Sequence, residues 1–104
     1  MQIVEWYDEL VGLTDSPVAR LNRAVALGEA DGPRAGLAAL ADLDPDLPRL
    51  TAVAAYLHER DGDIATAARE YAEAARSAAS LPERDHLLRQ AARLNTQLKA
   101  QHGS

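Results

Sequence analysis

The chain has 104 residues, enough for one domain with a modest core, and its 47% apolar fraction contains much alanine, one Trp and no Phe. Its formal net charge of −5, with eleven Lys and Arg scattered among sixteen acids, disfavours direct nucleic-acid binding, which normally requires a basic face. The absence of Cys excludes a disulfide framework and thiol chemistry, and no apolar run approaches the roughly 20 residues of a membrane span.

The first predicted helix runs from Gln2 to about Leu13. Its apolar residues recur at a spacing of three or four and therefore share one face. They are Ile3, Tyr7, Leu10 and Val11, and Trp6 lies beside them. Because Met1 leads directly into this helix without a capping residue, we expect the chain to be a fragment of a longer protein, with Met1 added as a start.

Two further helices are predicted over residues 17–28 and from about Pro33 to Leu43. Ser16 is a good N-cap, and Pro17 suits the first helical position, where no amide donor is needed. An acidic, glycine-containing break precedes Pro33. Gly36 early in the next helix lowers helix stability by roughly 1 kcal/mol relative to Ala, which predicts a close helix approach there.

The segment 44–48, with two prolines, is the strongest break in the chain. Helices are predicted over 48–60 and 64–79, with Asp63 as the N-cap of the second. Ser80 and Glu83 form a capping box, in which a serine and an acid three residues later satisfy backbone amides. The helix that follows, 81–100, has a polar outer face and is predicted to cap the stack.

One pattern occurs twice between Ala24 and Ala74, at a separation of 31 residues. The residues Ala24, Leu27, Asp31, Gly36, Leu40 and Leu43 fall opposite Ala55, His58, Gly62, Ala67, Tyr71 and Ala74. Small residues at helix crossings and larger ones between them resemble the tetratricopeptide repeat. The period differs from that of the family, and the aromatic residues typical of its first helix are missing. The alternative is therefore an irregular helical bundle in which the two copies match by chance.

The predicted fold is therefore all-α: an antiparallel, tetratricopeptide-like stack of helical hairpins with about six helices. A single domain spans residues 1–104. Its repeat hairpins cover about 17–43 and 48–79, and the capping helix covers about 81–100.

A longer set of strings resembles the C-terminal extension of one group of bacterial extracytoplasmic-function RNA polymerase sigma factors. These strings are Tyr7-Asp8-Glu9-Leu10, Leu13-Thr14-Asp15-Ser16-Pro17-Val18, Leu21-Asn22-Arg23-Ala24-Val25-Ala26, Asp31-Gly32-Pro33 and Gly36-Leu37. In that group, a tetratricopeptide-like segment follows the sigma domains and regulates or supports their activity. The resemblance covers most of the chain and is strongest over residues 7–37.

The resemblance implies a non-catalytic regulatory module of a cytoplasmic bacterial transcription-initiation factor. Its partners would be the sigma domains of the same protein, RNA polymerase or a regulator protein, with no direct contact to nucleic acid or membrane. The alternative is a stand-alone tetratricopeptide-type scaffold that binds an unrelated protein.

The inner face of such a stack comes from the first helix of each hairpin. The candidate partner-binding residues are Arg49, Tyr56, Glu59, Arg60 and, in the first predicted helix, Trp6. The first hairpin would expose Leu21, Val25 and Glu29 on the same face. Since this face lacks the Lys and Asn of a carboxylate clamp, we expect an apolar groove that accepts a helix. Alternatively, it only covers the first or last helix.

No residue pattern indicates an enzyme, a cofactor or a metal site. His58, His86 and His102 are isolated rather than set at metal-ligand spacing. The aspartates near the turns lack the length and closing acid of a calcium loop. No serine stands in a recognisable nucleophile context.

Overall fold

The computed structural model describes residues 16–102, and the regular secondary structure within them is all helical, as predicted. The five helices are α1 (Pro17–Asp31), α2 (Pro33–Leu40), α3 (Leu50–Arg60), α4 (Ile64–Arg76) and α5 (Leu81–His102). The predicted helix from Gln2 to Leu13, together with Trp6, lies outside the described residues. The predicted count of six helices is therefore not confirmed.

The corner between α1 and α2 is tighter than predicted. Helix α1 continues to Asp31, past the predicted end at Gly28, and α2 begins at Pro33. Glu29 and Ala30 are good helix formers and give no stop signal. Only Gly32 separates the helices, and its φ of 103° is one that an L side chain rarely adopts.

The first hairpin ends earlier than predicted, because α2 stops at Leu40 rather than Leu43. Between α2 and α3 the backbone makes short-range turns, with bonds from the amides of Leu43 and Leu47 to the carbonyls of Leu40 and Asp44, each 3.0 Å. Each bond spans three residues, which is turn geometry and not the α-helical pattern.

The predicted caps of the later helices are confirmed. The Asp63 carboxylate accepts a hydrogen bond from the amide of Thr66 at 3.3 Å. Hydrogen bonding with the Thr66 side chain, followed by this backbone bond, lowers the pKa of Asp63. The Ser80 hydroxyl accepts from the amide of Glu83 at 3.3 Å, while the Glu83 carboxylate accepts from the amide of Ala79 at 3.0 Å.

Each helix packs against the next one along the chain, and α1 also contacts α3. Two clusters of buried side chains result. One cluster joins α1, α2 and α3 through Leu21, Ala24, Leu40, Ala54 and Leu57. The other joins α3, α4 and α5 through Ala55, Ala67, Ala68, Tyr71, Ala74, Ala75, Leu87, Ala91 and Leu94. Helix α3 belongs to both clusters and connects them.

Leu57 fills the space that two glycines leave open. Its side chain is 1% exposed. A Cβ atom at Gly28 would lie 2.5 Å from Leu57 Cδ2, and one at Gly36 would lie 3.0 Å from Leu57 Cδ1 and 2.6 Å from the carbonyl oxygen of Ala24. The close helix approach predicted at Gly36 is therefore present, between α2 and the backbone of α1.

Two substitutions, Gly28→Ala and Gly36→Ala, should change the free energy of unfolding differently once Leu57 is replaced by alanine. In the native chain both Gly28→Ala and Gly36→Ala should destabilise, by about 1–3 kcal/mol, because each added methyl group overpacks the core. In a Leu57→Ala background, Gly28→Ala should become favourable by up to about 1 kcal/mol, since its clash is gone and alanine is the better helix former. Gly36→Ala should stay unfavourable, because the Ala24 carbonyl remains. Urea unfolding of the four-member cycles measures these free energies.

Ala38 is exposed on α2 and provides a reference for helix propensity alone. The change in the free energy of unfolding from Ala38 to Ala38→Gly gives the propensity difference between alanine and glycine on this helix. Equal rescue of both glycine variants by Leu57→Ala would show that the α1 backbone does not restrict Gly36.

Candidate functional site

An open groove of about 410 Å³ is lined by residues of α1, α3 and α5, with one residue from α4. Its lining residues are Val25, Arg49, Ala52, Val53, Tyr56, Tyr71, Glu83, His86 and Leu87. Apolar side chains from three helices supply most of the surface, and the charged residues belong to the α3 N-cap and the start of α5. The groove therefore offers an apolar floor beside charged groups.

Four of the five predicted partner-binding residues lie on α3, spread from its N-cap to its last residue. Arg49 is the N-cap of α3, and Tyr56, Glu59 and Arg60 lie within that helix. Arg49 and Tyr56 line the groove directly. Trp6, the fifth, lies outside the described residues.

The first hairpin contributes to this face differently from the prediction. Val25 lines the groove as expected, but Leu21 is only 6% exposed and packs with Ala24 and Leu57 in the core. The expectation that Leu21 would be exposed on the inner face is wrong. Leu21 lies on the side of α1 that faces α2 and α3, so burial against those helices removes it from the groove.

Glu29 holds two of the predicted residues in place. Its carboxylate accepts a short hydrogen bond from the Tyr56 hydroxyl and pairs with Arg60 Nη2 at 3.5 Å. The Arg60 guanidinium also lies 5.9 Å from the centre of the Tyr56 ring, within cation–π range. The hydrogen bond to Glu29 is the main cause that raises the pKa of Tyr56. The C-terminal end of α3 is thereby tied to α1.

Glu59 plays the corresponding role between α3 and α5. Arg93 Nη2 lies 2.9 Å from both Glu59 carboxylate oxygens, and the Tyr71 hydroxyl donates to Glu59 at 3.5 Å. Burial, followed by the Glu59 charge, raises the pKa of Tyr71 to about 12. Three helices therefore meet at one carboxylate.

An ion pair borders the groove at its other end. Arg49 Nε lies 3.4 Å from Glu83 Oε1. Both residues also line a second hollow of about 380 Å³ between the 45–49 loop and the C-terminal end of α4. The pair therefore lies at the border of both surface depressions.

The two histidines whose side chains the structure describes, His58 and His86, have no common site. His58 Nδ1 lies 2.5 Å from Glu70 Oε1 and connects α3 to α4, whereas the exposed His86 lines the groove. Within residues 16–102 no group of three or more His, Asp or Glu residues could hold a metal ion. None of the helices in that range combines the length and the apolar character needed to cross a membrane.

Sequence reasoning did not foresee the groups that complete the groove and its rim. Glu83, Leu87 and Arg93 come from a helix that was predicted only as a cap, and Tyr71 was predicted only as a core residue. The one available signal was the alternation of apolar and charged positions along α5, which does not say which residue on another helix each charge meets.

No family model, curated protein or solved structure matches this chain.

Replacing Arg49 tests whether its backbone is strained. Arg49 has a φ of 71° in the left-handed region, and its ion pair is exposed enough to contribute little to stability. Arg49→Gly should therefore be more stable than Arg49→Ala by about 1 kcal/mol, because glycine adopts this φ freely and is also the better N-cap. Thermal and urea unfolding of both variants measure the difference. Both variants lack the ion pair, so equal stabilities would mean that the backbone carries no strain.

The raised pKa of Tyr71 predicts a loss of stability at alkaline pH. Above pH 10 the tyrosine of the unfolded chain releases its proton, while the folded Tyr71 keeps it until about pH 12. The contribution of Tyr71 is thus complete below pH 10 and is lost as the pH rises through 12. Urea unfolding across this range should show a smaller decline for Tyr71→Phe than for the native chain, and the native chain should show a late tyrosinate absorbance transition that this variant lacks. An identical pH dependence in the two proteins would contradict the assignment.

Proposed function

We propose that this chain is a non-catalytic protein-interaction module whose groove between α1, α3 and α5 binds a helical segment of a partner protein. The observation that carries the proposal is the groove itself. It presents Val25, Val53 and Leu87 beside the aromatic rings of Tyr56 and Tyr71 on a rigid framework of three helices. An amphipathic helix laid into such a groove buries its apolar face.

The pairing of the arginines with glutamates supports an apolar ligand rather than an anionic one. Arg60 is paired with Glu29, Arg93 with Glu59 and Arg49 with Glu83. A carboxylate or phosphate would have to displace a glutamate from each arginine, whereas an apolar side chain would displace only water. The net charge of −5 favours the same conclusion.

A tetratricopeptide-like arrangement of the helices is part of the proposal. The successive contacts α1–α2, α2–α3 and α3–α4 support two stacked hairpins. Ala55 and Ala67 have no exposed surface, as small residues at close helix crossings would have. Gly62, in the turn between α3 and α4, has a φ of 86°. In this arrangement the groove is the inner face of the stack.

The partner we propose is the set of sigma domains that would precede this segment in an extracytoplasmic-function sigma factor. The support is the resemblance of residues 7–37 to the C-terminal extension of that group. By holding the sigma domains in one arrangement, the groove would bias promoter binding by the parent protein in the cytoplasm. A stand-alone scaffold would use the same groove for an unrelated protein.

Substitution in the groove tests the proposed function. Val25→Glu places a charge on the apolar floor at a half-buried position, and Ala38→Glu places the same charge on the exposed side of α2 as a matched control. The reading frame upstream of this segment identifies the preceding domains. Val25→Glu should weaken the binding of those separately produced domains about tenfold or more, equivalent to about 1.4 kcal/mol, and should change transcription from promoters of the parent protein.

The control should bind and transcribe as the native chain does, and circular dichroism should show native helix content in both variants. Equal binding by all three proteins would overturn the role of the groove. An upstream frame without sigma domains would overturn the choice of partner and favour the stand-alone scaffold.

A further inference from the structure

The outer cleft is an open depression of about 630 Å³ lined by residues of α4, α5 and the turn between them. It shares no lining residue with the groove. On α5 its lining residues, spaced by three and four, are displaced by about a third of a turn from those that line the groove. The lining residues of the outer cleft are Ala72, Ala75, Arg76, Ala78, Ala79, Ser80, Leu81, Arg84 and Leu88.

Two leucines give the outer cleft an exposed apolar wall. Leu81 is 70% exposed and Leu88 is 42% exposed, and Val18 is the third large apolar side chain that stands exposed in residues 16–102. Because Leu81 and Leu88 are seven residues apart, they project from the same side of α5. The lining side chains before Arg76 are alanines, which leave room for the close approach of another helix. Exposed apolar surface of this kind favours contact with a second apolar surface.

The two arginines of the outer cleft have no acidic partner within residues 16–102. Arg76 and Arg84 are exposed, and neither side chain makes an ion pair or a hydrogen bond to a described residue. Arg49, Arg60 and Arg93, by contrast, each pair with a glutamate. No described Asp or Glu lines the outer cleft. A chain with a net charge of −5 therefore presents a locally positive site here.

The position of Arg84 does not stabilise its own helix. Arg84 lies in the first turn of α5, where the positive end of the helix dipole disfavours a cation. Arg76 lies in the last turn of α4, where a cation is favourable. Leu81, the first residue of α5, keeps most of its apolar surface in water. A ligand that is both acidic and apolar removes both disadvantages at the start of α5.

We infer that the outer cleft binds an acidic amphipathic helix of a partner protein. The apolar face of that helix covers Leu81 and Leu88, and acidic residues beside this face pair with Arg76 and Arg84. The two leucines lie about 10 Å apart along α5, so about three turns of a partner helix reach across both. The arginines come from two different helices and select the sign of the partner's charge.

Other ligand classes match the outer cleft less well. Nucleic acid requires a broad basic surface for its phosphates, and two arginines do not provide one. An anionic membrane surface would attract the same arginines but repel a chain with a net charge of −5. A single acidic helix meets the leucines and the arginines without bringing a larger anionic surface close to the rest of the chain. This inference does not rest on what the groove binds, because the two sites share no residue.

A designed peptide tests the inference on the full chain. The probe is a fluorophore-labelled helical peptide of about five turns, with leucines at every third or fourth position and glutamates on both sides of that face. A matched probe carries glutamine in place of each glutamate. Fluorescence anisotropy should show saturable binding of the acidic probe to the native chain, and the glutamine probe should bind at least fivefold more weakly.

Substitution of the arginines separates the charge contribution from the apolar one. The double variant Arg76→Gln with Arg84→Gln should bind the acidic probe at least tenfold more weakly, while the glutamine probe should bind this variant and the native chain equally. Arg89→Gln, on an exposed side of α5 outside the cleft, is the matched control and should bind both probes as the native chain does. Leu88→Gln should weaken the binding of both probes. Circular dichroism should show native helix content in every variant.

The same measurements assign the probe to one site. Val25→Glu, which changes the groove, should bind the acidic probe as the native chain does, so failure of this inference is distinguishable from failure of the proposed function. Weaker binding by Val25→Glu would place the probe in the groove and overturn the inference. Absence of binding to the native chain, or equal effects of Arg84→Gln and Arg89→Gln, would also overturn it.

Two further outcomes concern other occupants. Sedimentation of the native chain should show no dimer that Leu88→Gln abolishes, since such a dimer would assign the outer cleft to a second copy and overturn the inference. Vesicles of phosphatidylserine and phosphatidylcholine should not retain the native chain. Retention that Leu88→Gln abolishes would assign the outer cleft to a membrane surface and overturn it too.

Discussion

The contact of Leu57 with the two glycine positions determines how the first three helices fit together. Gly28 and Gly36 each leave out a side chain where Leu57 enters, and Gly36 also brings α2 against the Ala24 carbonyl of α1. A core made largely of alanine has little volume to spare, so one fully buried leucine sets the helix spacing.

Helix α3 has two sides buried in different clusters. Ala54 and Leu57 face the α1–α2 pair, whereas Ala55 faces α4 and α5. The half-buried Ala52 and Tyr56 of this helix line the groove. Of the predicted partner-binding residues on α3, Arg49 and Tyr56 line the groove, whereas Glu59 and Arg60 do not.

Two glutamates make the region around the groove rigid. Glu29 connects α1 to Tyr56 and Arg60, and Glu59 connects α3 to Tyr71 and an arginine of α5. Exposed ion pairs of this kind add little stability, but they keep the aromatic rings in one orientation. Binding in the groove would therefore draw its affinity from apolar burial, while the charges at the rim determine orientation.

The sequence by itself determined where four of the five described helices begin, whereas α3 begins at Leu50, after the predicted start at Pro48. Pro17, Pro33, Asp63 and Ser80 act on the backbone groups of their own first turn, so their effect is local and readable. It determined helix ends less well, as at Asp31 and Leu40, because good helix formers carry no stop signal of their own and tertiary packing or a turn decides where they end. The burial of Leu21 and the pairing of Glu59 with Arg93, 34 residues later, were decided only by the tertiary structure. Such contacts depend on the rotation and spacing of whole helices. Close packing around buried side chains determines that rotation and spacing, and no local sequence pattern contains this information.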